Sequence, residues 1–359
     1  MSDFDYGNAR LRAMKSRLLP SPTLEGLAEA GNVDNLITAL ANTAYRDAVG
    51  AALVRLAGMD CLSAALRNDL VATVGQARRF FKDGPGELSA LVLRRYDLHN
   101  LKAVLRGVAR HVPANEILAS TLPIGELRPA DLTELARSAN VRAAIDLLVT
   151  WRLALAQPLL ELRGGRRGES LEVTALELAL ERWHLRSALE AAREAGETGQ
   201  ALLEALLLEA DVTNILTALR LVGVTDLAPL RAHFGVEALT ALFLGPGRVQ
   251  PALLAEAARQ PSIAEAVNAL AGTPYRAVLL EALKAYSLSN HLSVFERALT
   301  RYQLQQAAQL FTRDALGIGV LLGYVALKTN EIANLRAIAQ GLLLVEKPAH
   351  IRAELMLLN

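Results

Sequence analysis

The polar motif that recurs most clearly in this sequence is an acidic residue followed three positions later by an asparagine. On a helix, residues three apart lie on one face, and aliphatic neighbours such as Leu101 and Ile215 form an apolar stripe beside them. Such pairs can cap a helix and hold a buried hydrogen bond that fixes helix packing, or they can line a surface that binds a partner; the two roles are compatible. The motif occurs at Asp97 and Asn100, at Asp211 and Asn214, at Glu331 and Asn334, and more weakly at Asp5 and Asn8.

No motif typical of catalysis or of cofactor binding accompanies these pairs. The chain has no GxxxxGK loop followed by Ser or Thr, and Gly317, Gly319 and Gly323 lack both a preceding strand and the GxGxxG spacing. The six histidines include no two that are three or four positions apart, which argues against a zinc site. The single cysteine, Cys61, is predicted to be a small buried residue. We therefore expect no catalytic residue, no cofactor and no metal.

Composition narrows the class of protein further. Lys and Arg total 38 and Asp and Glu total 37, without long blocks of one sign, which argues against a nucleic-acid-binding protein. Hydrophobic residues make up 52% of the chain but aromatic residues only 4%, so the apolar content is mostly Leu and Ala, which favour helices. The first ten residues lack the apolar region of a signal peptide, and the sequence predicts a cytosolic protein.

Helical periodicity extends along the whole chain, with short Gly- and Pro-containing breaks and no clear alternating run, so the predicted fold class is all-α. The longest uncharged run, residues 315–327, has 13 residues where a membrane span needs about 20. This run is therefore predicted to be a buried core helix, and we expect no transmembrane span.

Internal repeats indicate how the chain is divided. Residues 39–46 (ALANTAYR) and 269–276 (ALAGTPYR) are identical at six of eight positions, and residues 135–142 are the expected degenerate middle copy. The motif asparagines at 8, 100, 214 and 334 lie 92, 114 and 120 residues apart, far more than in a solenoid repeat. The sequence predicts three related helical domains, at 1–110, 111–225 and 226–359.

Taken in order, several segments resemble the C subunit of the bacterial and archaeal V/A-type ATPase, whose eukaryotic relative is the d subunit of the V-ATPase. The segments are YGNARLRAMKSRLL at 6–19, LANTAY at 40–45, the helices at 97–106 and 211–220, Gly317-Ile318-Gly319, and residues 331–341. The resemblance covers essentially the whole chain and depends on the ordered set of segments.

The resemblance implies an all-helical funnel of three similar domains around a pseudo-threefold axis. It implies a non-catalytic rotor part at the cytoplasmic face of the membrane, which receives the D and F subunits of the central shaft and rests on the proteolipid ring. Such a part transmits torque between ATP hydrolysis or synthesis and ion translocation.

A partner-binding surface is predicted at the motif residues and at the arginines beside them, although Arg94 and Arg95 could equally serve as structural ion-pair donors. The predicted residues are Arg94, Arg95, Asp97, Asn100, Asp211, Asn214, Glu331, Asn334 and Arg336. The basic cluster at 163–168 is either a solvated loop or a contact for anionic headgroups or an acidic partner loop.

The main alternative function is a generic three-domain helical scaffold that binds some other protein. An operon that also encodes P-loop catalytic subunits and a proteolipid would favour the rotary ATPase over such a scaffold. A helical enzyme or a carrier of an apolar ligand would need convergent titratable groups, which the sequence does not display.

Overall fold

The computed structural model describes residues 4–163, 172–224, 226–234, 236 and 238–358, so residues 164–168 of the basic cluster lie outside it. Every regular element in this part of the chain is a helix, which confirms the all-α class. The chain divides into two compact units: unit 1 contains residues 1–92 and 304–359, and unit 2 contains residues 93–303.

Unit 1 is assembled from both ends of the chain. Its core helix is α18 (Gly319–Leu343), which packs against helices from the N-terminal segment and against the short C-terminal helix. The other helices are α1 (Asp5–Lys15), α2 (Ser21–Leu27), α3 (Val33–Leu40), α4 (Arg46–Leu53), α5 (Gly58–Ala77) and α19 (Pro348–Glu354). Two long helices, α6 (Asp83–Ala109) and α17 (Ser293–Arg313), contain residues of both units.

Unit 2 contains two separate hydrophobic cores. One includes buried residues between Leu98 and Leu180, and the other includes buried residues between Leu208 and Leu299. The helices are α7 (Ala114–Ala119), α8 (Pro129–Ala136), α9 (Val141–Thr150), α10 (Gln157–Arg163), α11 (Val173–Glu194), α12 (Gln200–Leu221), α13 (Ala228–Phe234), α14 (Pro251–Ala258), α15 (Ile263–Ala269) and α16 (Arg276–Ser289). Because each core combines residues from both sides of a predicted boundary, at 110 or at 225, the core residues follow a different grouping, and the three-domain division stays a prediction.

In three places, two consecutive short helices begin at the same separation in sequence. In each, the N-cap of one short helix lies 12 residues before the N-cap of the next, and the second N-cap side chain accepts the backbone N–H three residues on. The N-cap pairs are Pro20 and Asn32, Arg128 and Asn140, and Gln250 and Ser262.

This spacing corrects the middle copy of the repeat. The segments 39–46 and 269–276 run from the end of one short helix into the start of the next, from α3 to α4 and from α15 to α16. Residues 135–142 instead join α8 to α9, one helix too early. The middle copy is residues 147–154 (LLVTWRLA), where Leu153 stands in place of the tyrosine, and the loss of that tyrosine hides the copy in the sequence.

Two long helices, α6, which ends in unit 2, and α18, which ends in unit 1, have the same type of C-terminus. The N–H of Val112 reaches the carbonyl of Gly107, and the N–H of Glu346 reaches the carbonyl of Gly341, which is the Schellman pattern that closes a helix C-terminus. A short helix then packs on each glycine: α7 through Ile117 and α19 through Ile351. The glycines allow this close approach because they have no Cβ.

None of the described helices is both long enough and apolar enough to span a membrane. The apolar run at 315–327 enters α18, where Val320, Leu321 and Val325 are buried, in agreement with the predicted core helix.

We predict that Gly107→Ala and Gly341→Ala each lower the free energy of unfolding by about 1–3 kcal/mol. A Cβ at these positions would lie 2.4 Å from Ile117 Cγ1 and 2.6 Å from Ile351 Cγ1, so the isoleucine or the short helix that carries it must shift. Urea denaturation followed by circular dichroism measures the change. Gly75→Ala in α5 is the control, because nothing lies within 4 Å of its Cβ, and it should stabilise by up to about 1 kcal/mol. Equal effects at all three glycines would contradict this account of helix approach.

Candidate functional site

The acid and asparagine pairs hold three turns, which we call pinned turns: in each, side chains of a long helix bond to the backbone of a distant turn. In the first pinned turn, Asp97 of α6 accepts the N–H groups of Glu126 (2.8 Å) and Leu127 (2.9 Å). Asn100 donates to the carbonyl of Leu122 (2.8 Å) and accepts its N–H (2.6 Å). Four backbone groups of a tight turn are thereby satisfied by two side chains.

The second pinned turn repeats this arrangement in α12. Asp211 accepts the N–H groups of Arg248 (3.1 Å) and Val249 (2.9 Å), while Asn214 accepts the N–H of Leu244 (2.8 Å) and donates to the carbonyl of Gly245 (3.0 Å). Burial raises the pKa of Asp211 above its usual value, even though the hydrogen bonds it accepts oppose the rise.

Two tyrosines add a third partner to the acid in the copies that keep the YR element. Tyr275 donates to Asp211 at 2.7 Å, and Tyr45 donates to Glu331 at 2.6 Å. Both rings are buried, and desolvation is the main reason that the pKa of each phenol is raised. The repeated YR element therefore supplies the tyrosine that donates a hydrogen bond to the acid of the motif.

The third pinned turn joins the two ends of unit 1. Asn334 of α18 accepts the N–H of Met356 (2.9 Å) and donates to its carbonyl (3.2 Å), and Asn330 also donates to that carbonyl (2.8 Å). Glu331 accepts the N–H of Leu19, a residue 312 positions earlier in the chain. The backbone of both terminal segments is thus held by α18.

In this third copy, a buried cation accompanies the acid. Lys328 Nζ lies 2.7 Å from both Glu331 and Asp69, 2.9 Å from the Tyr45 hydroxyl and 4.3 Å from the centre of its ring. Burial raises the pKa of Asp69, and the ammonium of Lys328 works in the opposite direction. Pairing with Lys328 is what allows two carboxylates to be buried together.

A glycine fits against the acid in each of the two pinned turns of unit 2. A Cβ on Gly125 would lie 2.1 Å from Asp97 Oδ2, and one on Gly247 would lie 2.0 Å from Asp211 Oδ1. The sequences LPIGEL at 122–127 and LGPGRV at 244–249 share this glycine and the flanking aliphatic residues. That shared pattern is the sequence signal for the pinned turns, and it lies outside the acid and asparagine motif.

The weaker fourth pair shares only the asparagine. Asn8 is buried in α1 and donates to the carbonyl of Gly317 at 3.1 Å, whereas Asp5 is exposed.

Six of the nine predicted partner-binding residues are these pinning side chains, and their exposed fractions are between 0% and 3%. Such burial leaves them little surface to present to another molecule. Their hydrogen bonds fit the packing role that the motif also allows; a direct partner-binding role stays a prediction. The six are Asp97, Asn100, Asp211, Asn214, Glu331 and Asn334.

The three predicted arginines are more accessible. Arg94 is half-buried, donates to Ser187 Oγ (3.1 Å) and lies over the ring of Trp183 (5.1 Å to the centre). Arg95 is exposed and forms a 3.4 Å ion pair with Glu209, which contributes little to stability at such a surface. Arg336 is exposed on α18.

Next to Arg94, the buried face of α11 carries His184, a residue to which the sequence alone assigns no role. It is 7% exposed, and its Nδ1 has no hydrogen-bond partner among the described atoms. Burial, reinforced by Arg94, lowers the pKa of the imidazole to about 4; Arg95 and Lys102 also lower it, and Glu181 opposes them. The ring is therefore neutral in the folded protein at neutral pH.

Comparison with known proteins places these features in a family. The sequence profile of the ATP synthase (C/AC39) subunit matches residues 7–354, a range that includes all three acid and asparagine pairs. The chain belongs to this family.

Relatives are similar along nearly their whole length. The C subunit of the A-type ATP synthase of Methanocaldococcus jannaschii is 26% identical over 99% of this chain and 87% of its own. The corresponding protein of Methanosarcina barkeri is 27% identical over 95% of this chain and 89% of its own, and that of Halobacterium salinarum is 27% identical over 99% and 98%. The family resemblance in the sequence is confirmed, and the chain is a non-catalytic subunit of a rotary ATPase.

We predict that Asn214→Ala lowers the free energy of unfolding by about 1–3 kcal/mol, because it leaves the N–H of Leu244 and the carbonyl of Gly245 without their partner. Urea denaturation measures the loss. Asn268→Ala, at an exposed position of α15, is the matched control and should change stability by less than about 0.5 kcal/mol. Indifference of the protein to Asn214→Ala would show that the pinned turn does not hold the fold.

A second prediction concerns pH. Since the folded pKa of His184 lies below that of the unfolded chain, the unfolded state binds more protons between about pH 6.5 and 4, and stability falls as pH decreases through that window. The contribution is roughly 3 kcal/mol by pH 4. His184→Leu should flatten the dependence of unfolding free energy on pH by that amount, whereas the exposed His291→Gln should not. An unchanged pH profile in His184→Leu would disprove this assignment.

Proposed function

We propose that this chain is the central-stalk rotor component of a V/A-type ATPase. In this role it is a socket that receives the D and F subunits of the central shaft and rests on the membrane proteolipid ring at the cytoplasmic face. It transmits torque between ATP hydrolysis or synthesis and ion translocation, and is itself peripheral. Three similar domains in a funnel around a pseudo-threefold axis are part of the proposal.

The observation that carries the proposal is the repeated pinned turn in a member of this family. A torque-bearing part must not yield at the connections between its helices. Each pinned turn fixes such a connection by two buried side chains that bond directly to the backbone. Hydrogen bonds in buried surroundings resist deformation better than exposed ones, because no water is available to replace them.

The nine predicted partner-binding residues fall into two groups, one that can contact a partner and one that acts indirectly. Arg95 and Arg336 have exposed side chains and can pair with acidic groups of the shaft or ring. The six buried pinning residues and the half-buried Arg94 act indirectly, by fixing the surface that the partner meets.

The test is reconstitution of the full-length chain with purified D and F subunits, followed by size-exclusion chromatography. We expect co-elution at low salt and dissociation as ionic strength rises, because exposed ion pairs are screened. Arg336→Glu should weaken binding by about tenfold or less, the equivalent of about 1.4 kcal/mol. Arg193→Glu, at another exposed arginine, is the control.

Failure to co-elute with a shaft that is shown to be folded would overturn the socket proposal. Co-elution that is indifferent to salt would refute the polar contact at Arg336 while leaving the family membership intact.

A further inference from the structure

An apolar groove of about 970 Å³ lies on unit 2. It is bounded by the C-terminal end of α12, the start of α15 and the second half of α16. Six lining residues that define its chemistry are Leu219, Val222, Ile263, Leu280, Leu283 and Tyr286. The volume is at the upper end of the range of about 300–1,000 Å³ typical of binding sites.

Apolar side chains at this groove are not all needed for the core. Leu280 lines the groove and is 36% exposed. A leucine with that much exposed surface gains less from folding than a fully buried one and is available to contact another molecule.

The charged residues that line the groove are basic. Among the described lining residues, Arg220 and Lys284 are the charged ones, and both are basic. Each pairs with an acid just outside the groove: Arg220 with Glu296 at 3.1 Å and Lys284 with Glu281 at 2.9 Å. All four side chains are more than half exposed, so these pairs are weak and carboxylates of another molecule can replace them.

Two of the apolar positions recur in unit 1. Aligned on the repeated tyrosines, Leu53 of α4 corresponds to Leu283 and Leu56 corresponds to Tyr286, and both leucines are exposed. Lys284, however, corresponds to Val54. Leu280 corresponds to Gly50, so the exposed leucine and the basic rim both belong to the copy in unit 2.

We propose that this groove binds an amphipathic α-helix of a partner, whose apolar stripe is flanked by acidic residues. Helices bind in such grooves through apolar anchors at positions i, i+3 or i+4, and i+7. Leu280 and the other apolar lining residues receive these anchors, while Arg220 and Lys284 select acidic over basic flanks. This site goes beyond the socket proposed above, since it does not depend on which subunit supplies the helix.

The probe is a pair of synthetic helical peptides with the same leucine stripe, one flanked by Glu and the other by Lys. Binding to the full-length chain is measured by fluorescence anisotropy at low and moderate salt. We expect the Glu-flanked peptide to bind at least about tenfold more tightly than the Lys-flanked peptide. The double variant Arg220→Glu with Lys284→Glu should reverse that preference.

Single substitutions test whether the peptide binds in the groove. Leu280→Asp should weaken binding of the Glu-flanked peptide at least about tenfold. Leu316→Asp, at a 73% exposed leucine of unit 1, is the matched control and should not weaken it. Circular dichroism checks that both variants fold. Should Leu280→Asp unfold, the exposed Lys284→Glu alone serves as the test.

Equal binding of both peptides, binding insensitive to all groove variants, or no binding of the Glu-flanked peptide would overturn the proposal. Self-association of the chain that is abolished by Leu280→Asp would also overturn it, because the occupant would then be a second copy. None of these outcomes bears on co-elution with D and F, so the two proposals fail independently.

Discussion

The fold depends on satisfying the backbone of its tight turns. A turn between two helices exposes N–H and carbonyl groups that no helix supplies with partners, and burying them unpaired costs about 1–3 kcal/mol each. Here a carboxylate and an amide, three residues apart on a long helix, meet that requirement from outside the turn. In unit 2, the short helices that follow begin at fixed positions because the residues before them are already held.

In the third copy, the acid bonds to groups from separate parts of the chain. It is a glutamate, and its longer side chain accepts hydrogen bonds from the N–H of Leu19 and from the Tyr45 hydroxyl. Two buried carboxylates then lie close together, and Lys328 supplies the charge that offsets their desolvation. The pinning asparagine is unchanged among all three copies, since an amide can both donate to and accept from the backbone of one turn.

Much of this arrangement could be predicted from the sequence, and the remaining features could not be predicted, for physical reasons. Helical periodicity indicates the class, and the spacing of Asp211 and Asn214 indicates a shared helix face. Most partners of that face are backbone atoms, which leave no side-chain signature; Tyr275 and the glycines Gly125 and Gly247 mark its surroundings in the sequence. The middle tyrosine is replaced by Leu153, so the sequence aligns that repeat one helix early. Glu331 accepts a hydrogen bond from Leu19, which lies 312 residues earlier in the sequence, and no local sequence pattern predicts such a contact.

The division of unit 1 between the two ends of the chain has a consequence for synthesis on the ribosome. Unit 2 lies within a continuous stretch of residues, so its two cores can form while translation continues. The first 92 residues emerge much earlier than α18, and the apolar faces that they pack against α18 must wait for it. Unit 1 is therefore the last part of the molecule that can complete its core.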